Sequence, residues 1–562
     1  MTIREIPYHR ATEESMRSAF DAFFAAEKKA TRAEDLLAAR EALNRAWMTF
    51  YTQRELANYR YNQNVNDAFY QGEIDYYDAI GPQLDALQTK FYRAMLQSPF
   101  RKELEQALGS LLFRKYEVSI KAHSEACIAD EQEENALVTQ YTKRMSTLLF
   151  SWEGKQIPLS VLRGKLEDGS AQVRKAAADA IGEGLRAYGE KLDTIYDSLV
   201  RVRDRIAKKM GYKDFVELGY YRMGRTGFTR AMVEKFRANV VRSVVPVVSR
   251  LKAGLKEELG LDVFRFSDND VYCKGGNPAF LLTIPQAFDA AQTMYDEMDG
   301  EIGEFFRSMV AAEAFDVDAR EGKCGGGFCD ELPDYNQSVI LANFNGTTGD
   351  VDVLTHEFGH AFAMHASAAA GVDFELGIGG METAECHSMS MEFLCWPYME
   401  KFFRDEAGAY RFKHLADGLS FLPYGCIVDE FQHYAYENPT ATPADRKAYY
   451  LSLEKKYRPY LTYDGIPYLE EGTRWQYQSH IYQSPFYYID YCLAQTVALG
   501  FLALSRKSYP EALARYKQFA RSGGSLPFET LVTRAGLADP FAEGALASLA
   551  GEMEKILASL RK

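Results

Sequence analysis

No apolar run in this sequence reaches the roughly 20 residues that a bilayer-spanning helix needs. The longest nearly apolar stretch, Cys492 to Leu504, is interrupted by Gln495 and Thr496. The opening residues MTIREIPYHRATEESM hold no apolar core, so no secretory signal is expected and the address reads as cytoplasmic, with no membrane partner. Cysteine is sparse, with 8 in 562 residues, which excludes a disulfide framework and points to free thiols. Basic residues are in deficit, 65 Lys and Arg against 79 Asp and Glu for a net charge of −14, so a nucleic-acid partner is not expected. Tryptophan is scarce too, at 4 residues against 36 Tyr and 35 Phe. What is present is an ordinary globular balance, 47% hydrophobic and 26% charged, in a chain long enough for a large core. The tyrosine excess reads mainly as amphipathic packing between helices, with a cleft lined by phenols as the alternative.

The hydrophobic pattern is helical along most of the chain. Leu36, Leu43 and Phe50 repeat every seven residues, and Leu84, Leu87, Phe91 and Met95 follow helical spacing. Breaks at Gly81-Pro82, Ser98-Pro99 and Gly109-Ser110 suit a bundle of antiparallel helices. The segment 165–184 looks like one helical-solenoid repeat, but no second copy exists, so it reads as a single amphipathic helix. Helices are expected again over 193–210, 229–258 and 286–314. The polar run EGKQ near 155 marks a weak boundary, giving a helical N-terminal lobe over 1–155 and a second region over 156–562. SVILANF (338–344) is the one convincing strand, flanked by a Gly-rich loop GKCGGGFCDELPDY (322–335) and by Asn345-Gly346. The fold class is therefore mainly α with a small β-sheet.

The chemistry concentrates in THEFGHAF. His356 and His360 are four apart, so they stack on one helix face and can share one ion, with Leu354 and Phe358 on the opposite, apolar side. Two neutral imidazoles at this spacing suit Zn²⁺, and Glu357 stands one position off, where a base for an activated water belongs. A catalytic zinc keeps three protein ligands and one open position. The long pattern with a third His fails, because Ala363 and Ala366 occupy its Gly and His positions and His365 lies about 140° around the helix. The third ligand must then be a carboxylate on another helix, and GGMETAECHSMSME (379–392) offers Glu382, Glu385 and Glu392. Spacing alone leaves Glu382 and Glu385 open.

HEFGHAF, followed by ETAECHSMSME and later by HIYQSPFYYIDY, resembles the thimet oligopeptidase and oligoendopeptidase F family of zinc peptidases, and most closely the oligoendopeptidase F type. The likeness runs over about 190–550. It implies a zincin-like catalytic region whose helical lobes enclose a deep channel, one Zn²⁺ per chain, and short peptides as substrates. It implies Glu385 as the third metal ligand beside His356 and His360, in the pattern Glu385, Ser388, Glu392, with Glu392 supporting a ligand imidazole. It also implies that His480, Tyr488 and Tyr491 stand near the scissile carbonyl, with Tyr487 able to replace either phenol.

Several further expectations follow. Ser484 is expected to cap a helix whose first residue is Pro485. SVILANF is expected at a sheet edge where a substrate strand could add, with GKCGGGFC as a mobile flap carrying free thiols at Cys324 and Cys329. His365 reads as structural, His387 and His433 as structural or surface, and His414 carries no signal. The function expected is a zinc endopeptidase of short oligopeptides, with Glu357 as general base and His480, Tyr488 and Tyr491 stabilising the oxyanion. Two alternatives stay open: a peptide-binding helical protein with a closed structural zinc, using His387 or Cys386 as a fourth ligand, and a metallo-carboxypeptidase. Oligomeric state is not encoded in any motif.

Overall fold

Leu36, Leu43 and Phe50, the residues spaced by seven, form the inward stripe of a long helix, Ala33–Gln63 (α1). In the computed structural model, which describes residues 1–146, 148–377, 379–463 and 465–561, this stripe packs against Glu13–Glu27 and Ala68–Gln97. Phe20, Phe23, Phe91, Met95 and Tyr116 complete a separate N-terminal core. The helix Ala68–Gln97 runs straight through Pro82 instead of breaking there. Tyr77, Ile80, Leu84, Phe91 and Met95 form one buried stripe across the proline. Burying such side chains contributes about 1.5–3 kcal/mol each, which together outweighs the ~3 kcal/mol cost of an internal proline. The expected breaks at Ser98-Pro99 and Gly109 are present, the second through a left-handed Gly109 at φ 87°.

Other long helical readings are subdivided. Ala171–Arg186 is a single helix capped by Ser170. The 229–258 pattern contains a π-helical turn at Val240–Val244, just before Pro246, which lacks the N–H that would continue the regular ladder. The 286–314 pattern is cut at Asp299, whose carboxylate accepts the N–H groups of Glu301 (3.0 Å) and Ile302 (3.4 Å).

Four strands escaped the hydrophobic pattern, two of them in a sheet separate from SVILANF. Leu149–Trp152 (β1) and Lys155–Pro158 (β2) form an antiparallel hairpin at the polar EGKQ run. Its turn residues Glu153 (φ 48°) and Gly154 (φ 78°) are both left-handed, as a two-residue hairpin turn requires. A three-stranded sheet follows, built from Phe315–Asp318 (β3), Phe328–Leu332 (β4) and Gln337–Phe344 (β5) in the order β3-β5-β4. β5 is thus the central strand, parallel to β3 and antiparallel to β4, which corrects its placement at an edge. Ser338 to Ala342 are buried without alternation, the signature of a strand covered on both faces. The edge is β4.

Gly349–Ala369 (α2) packs against β4 and β5, and Met381–Leu394 (α3), Ala407–Glu437 (α4) and Tyr488–Lys507 (α5) follow it in the chain. α3 packs on both α2 and α5. α5 is longer than its Cys492–Leu504 apolar segment. By length and composition, with a mean hydropathy of 1.3, it could cross a bilayer, but 72% of that window is buried inside the protein. It is the central core helix. Most tyrosines also serve packing, and several fully buried ones anchor their hydroxyls: Tyr116 to Glu375 at 2.7 Å, Tyr272 to Asp417 at 2.9 Å.

Gly359 explains how α2 and α3 meet. A Cβ there would stand 2.8 Å from Ser388 Cα and 2.9 Å from the His387 carbonyl oxygen, both backbone atoms of α3. Gly359→Ala is therefore expected to force the two helices apart and cost about 1–3 kcal/mol. A chemical or thermal melt matching that of the parent protein would remove this account of the glycine.

Candidate metal centre and its cleft

α2 is anchored at its start by Asp350, whose carboxylate accepts the N–H groups of Asn345 (2.9 Å) and Gly346 (2.7 Å). Leu354 and Phe358 form the buried back of the helix, and His356 and His360 its front, with ring centroids 5.1 Å apart. Across the helix contact, Glu385 Oε2 lies 3.3 Å from His356 Nε2 and 3.6 Å from His360 Nε2. Ligand atoms around a tetrahedral zinc, bonded at about 2.0–2.1 Å, stand about 3.3–3.4 Å apart. Two imidazole nitrogens and one carboxylate oxygen at these separations fit that ion.

The geometry separates the three candidate carboxylates. Only Glu385 joins the two imidazoles in a group of potential ligand atoms lying within 4.8 Å of one another. Glu382 turns toward the backbone of Gly380 and the field of Arg225. Glu392 sits behind the metal centre, with Oε1 2.7 Å from His356 Nδ1. Glu385 is held by Ser388 Oγ, which donates to Oε2 at 3.0 Å, and by Tyr487 Oη, which donates to Oε1 at 3.0 Å. Cys386 and His387 are fully buried, His387 against Phe519, and neither joins the ligand group among the described residues.

The electrostatics favour positive charge at this point. Burial works to raise Glu385, but hydrogen bonds and charge from His356 and His360 prevail and hold it well below the usual carboxylate range. Burial works to lower His356, yet Glu385 and Glu392 raise it well above an ordinary imidazole. A proton and a metal cation compete for the same position. Glu357, only 8% exposed, is different: burial raises it, with the two imidazoles opposing.

These residues line a cleft of about 770 Å³. α1 supplies Met48 and Tyr51 to the lining, and β4 supplies Phe328 to Glu331. Burial and the nearby Glu55 push Asp330 up to about 8, and burial pushes Glu331 up to about 7. Among the described residues that line the cleft there is no Lys or Arg. The Gly-rich loop beside β4 is tethered rather than loose. Cys324 N–H donates to the Asn62 carbonyl (2.9 Å), and Asn343 Nδ2 donates to the carbonyls of Cys324 (2.9 Å) and Gly326 (2.8 Å). Cys324 and Cys329 are free thiols.

The tyrosine segment departs from its expected register. Ser484 does not cap a following helix; it ends the short helix Ser479–Gln483, and α5 starts at Tyr488. The cause is Phe486, left-handed at φ 68° and fully buried among Phe215, Tyr220, His433 and Tyr436. Its N–H donates to Gln432 Oε1 at 3.1 Å, and its carbonyl accepts from Arg225, which pairs with Asp490 at 2.8 Å. This turn brings Tyr487 and Tyr491, with rings 4.8 Å apart, to the cleft wall. Tyr488 instead packs against Phe421 (5.5 Å) and Tyr424 (5.8 Å). His480 stands 4.9–5.9 Å from the three phenol rings. Tyr424 donates to Gln478 Oε1 (2.7 Å), which turns the Gln478 amide nitrogen to His480 Nδ1 (2.9 Å) and leaves the ring proton on Nε2.

Of the other histidines, His365 stacks on Phe305 at 4.2 Å and His433 meets Arg237 and Asp429, both packing roles. His414 is the residue that sequence spacing missed: its Nε2 lies 2.7 Å from Glu392 Oε2.

Two family models match the chain, the peptidase M3 N-terminal domain over residues 3–123 and peptidase family M3 over residues 280–551. Among solved structures, PZ peptidase A with inhibitor 2 is 41% identical, with a TM-score of 0.93 and 99% of each chain covered. A candidate oligoendopeptidase F is 39% identical at a TM-score of 0.93, covering 100% of this chain and 99% of that one. Another, from Bacillus anthracis str. Ames, is 38% identical at a TM-score of 0.88, covering 100% and 98%. No curated protein matches the chain.

The geometry sets an order of loss on mutation. Purified Glu385→Ala is expected to lose bound zinc, and Glu382→Ala to retain it. Equal metal content in the two proteins, measured by elemental analysis, would remove Glu385 from the ligand set.

Proposed function

The chain belongs to peptidase family M3, of the oligoendopeptidase F type, and on that premise we propose that it is a zinc-dependent endopeptidase cutting internal bonds of short peptides. The observation that carries the reading is the three-atom ligand group, His356, His360 and Glu385, facing a cleft with the buried Glu357 beside it. A catalytic zinc takes three protein ligands and leaves a position for water or substrate, whereas a structural zinc is closed by four. The burial of Cys386 and His387 away from the group argues against the closed alternative. The absence of Lys and Arg from the described cleft lining argues against a carboxypeptidase, which must grip a terminal carboxylate. Cleavage of peptides blocked at both ends is the direct test between those two activities.

Bound at these residues, zinc supplies Lewis-acid activation of a water and of the scissile carbonyl. Glu357 takes the proton of the attacking water and passes it to the leaving amine. Its burial raises its basicity above that of an exposed carboxylate, which suits a group that must accept and then release a proton. Tyr491 presents a phenol O–H on the cleft wall as a donor for the developing oxyanion, with His480 behind the wall at 5.9 Å between ring centroids, while the Tyr487 O–H is engaged with Glu385. Tyr487, open as an alternative on sequence grounds, lines the cleft where Tyr488 does not. The outer side of β4 has no strand partner among the described residues, so an extended peptide can pair along it and lie across Glu357.

Glu357→Gln should keep its zinc and lose turnover of a quenched fluorescent peptide by roughly 10²–10⁴-fold. Hydrolysis at the parent rate would displace Glu357 as the base. Tyr491→Phe should lower kcat by roughly 10²–10³-fold with zinc content unchanged, while Tyr487→Phe, which also removes the donor to Glu385 Oε1, should lower kcat and weaken zinc binding together. Tyr488→Phe should fall well short of that. A larger loss from Tyr488→Phe than from the other two would reverse the assignment of the phenols.

A further inference from the structure

Glu392 is shared between two imidazoles on different helices. Oε1 meets His356 Nδ1 at 2.7 Å and Oε2 meets His414 Nε2 at 2.7 Å. On the far side of His414, Trp396 Nε1 lies 2.9 Å from Nδ1. An indole N–H donates and never accepts. His414 Nδ1 must therefore be the acceptor, which leaves the ring proton on Nε2, donating to Glu392. The carboxylate then accepts from both rings. With its Nδ1–H committed to Glu392, His356 turns an unprotonated Nε2 toward Glu385 and His360, as a metal ligand requires.

The relay is held rigidly. His414 is 8% exposed and Trp396 3%. Phe393 stacks on the His414 ring at 4.6 Å and 22°, and Tyr410 at 5.6 Å and 23°. Tyr410 Oη donates to Asp352, which ties α4, the helix carrying His414, back to α2. Every polar atom from the indole to the ligand ring has a partner, so the proton positions follow in one direction only. Packing alone would not require that agreement.

We propose that Trp396 and His414 are positioning residues for the metal: the indole fixes the tautomer of His414, His414 orients Glu392, and Glu392 presents His356 Nε2 as the ligand atom. This rests on the zinc reading of the site.

The test measures zinc binding by the full-length protein, stripped of metal and titrated against a chromophoric chelator, together with the visible spectrum of the Co²⁺-substituted form. Parent protein should bind one zinc. His414→Leu, which removes the donor, should bind zinc about 10–100-fold more weakly and shift the Co²⁺ spectrum. His414→Gln, whose amide can still donate to Glu392, should recover most of that affinity. Equal losses in His414→Leu and His414→Gln would reduce His414 to a packing role and overturn the proposal. So would a folded His414→Leu with the parent's affinity and spectrum. If His414→Leu fails to fold, Trp396→Phe decides, because it keeps an aromatic ring and removes only the N–H. Weaker zinc binding and a shifted Co²⁺ spectrum support the relay, and an unchanged spectrum and affinity overturn it. A parent protein that takes up no zinc would sink the metal reading itself, a result separable from every variant outcome.

Discussion

The contact between α2 and α3 at Gly359 governs the chemistry of this protein. Backbone atoms approach closely enough there that even one added methyl would clash with Ser388 and His387. That proximity lets a Glu385 carboxylate on one helix reach two imidazoles on the other within 3.6 Å. The same crossing aligns Glu392 with the rear nitrogen of His356. A wider crossing, filled by ordinary side chains, would leave three polar groups facing apolar surface, each costing about 1–3 kcal/mol when unpaired.

The cleft concentrates carboxylates that water does not fully solvate. Glu357, Asp330 and Glu331 are all raised by burial, while Glu385 and Glu392 are lowered because imidazoles outweigh the same burial. One environment thus produces two kinds of acid, set apart by whether a cation or donor stands within contact distance. The acidic net charge of the chain says little about this division, which is made by packing.

The helical character, the paired histidines and the neighbouring Glu357 were legible from periodicity and spacing, because a helix fixes which residues share a face. The choice between Glu382 and Glu385 was not, since it depends on how two helices cross. SVILANF was legible as a strand, and its unbroken apolar run Val339 to Ala342 was the available sign that it is interior. The short acidic strands beside it hid the sheet order. The expected helix start at Pro485 failed, because the buried Phe486 takes a left-handed turn that no local pattern encodes. His414 was invisible because it acts across 22 residues and two helices through a carboxylate.

α5 carries Tyr491 on the cleft wall, yet it is also the central helix of the core, with 72% of its apolar window buried. Met48 and Tyr51, which also line the cleft, belong to α1, whose C-terminal half puts Leu56 and Tyr59 into that same main core. Arg40 pairs with Asp373 (2.7 Å) and with Glu375, Thr52 accepts from Asp334 N–H (3.1 Å), and Leu376 inserts into the N-terminal core. Local openings draw on whichever contacts are cheapest to break. Opening the α1 side would draw Leu56 and Tyr59 out of the main core as well as break the Arg40 ion pairs, so both sides of the cleft are anchored in one core.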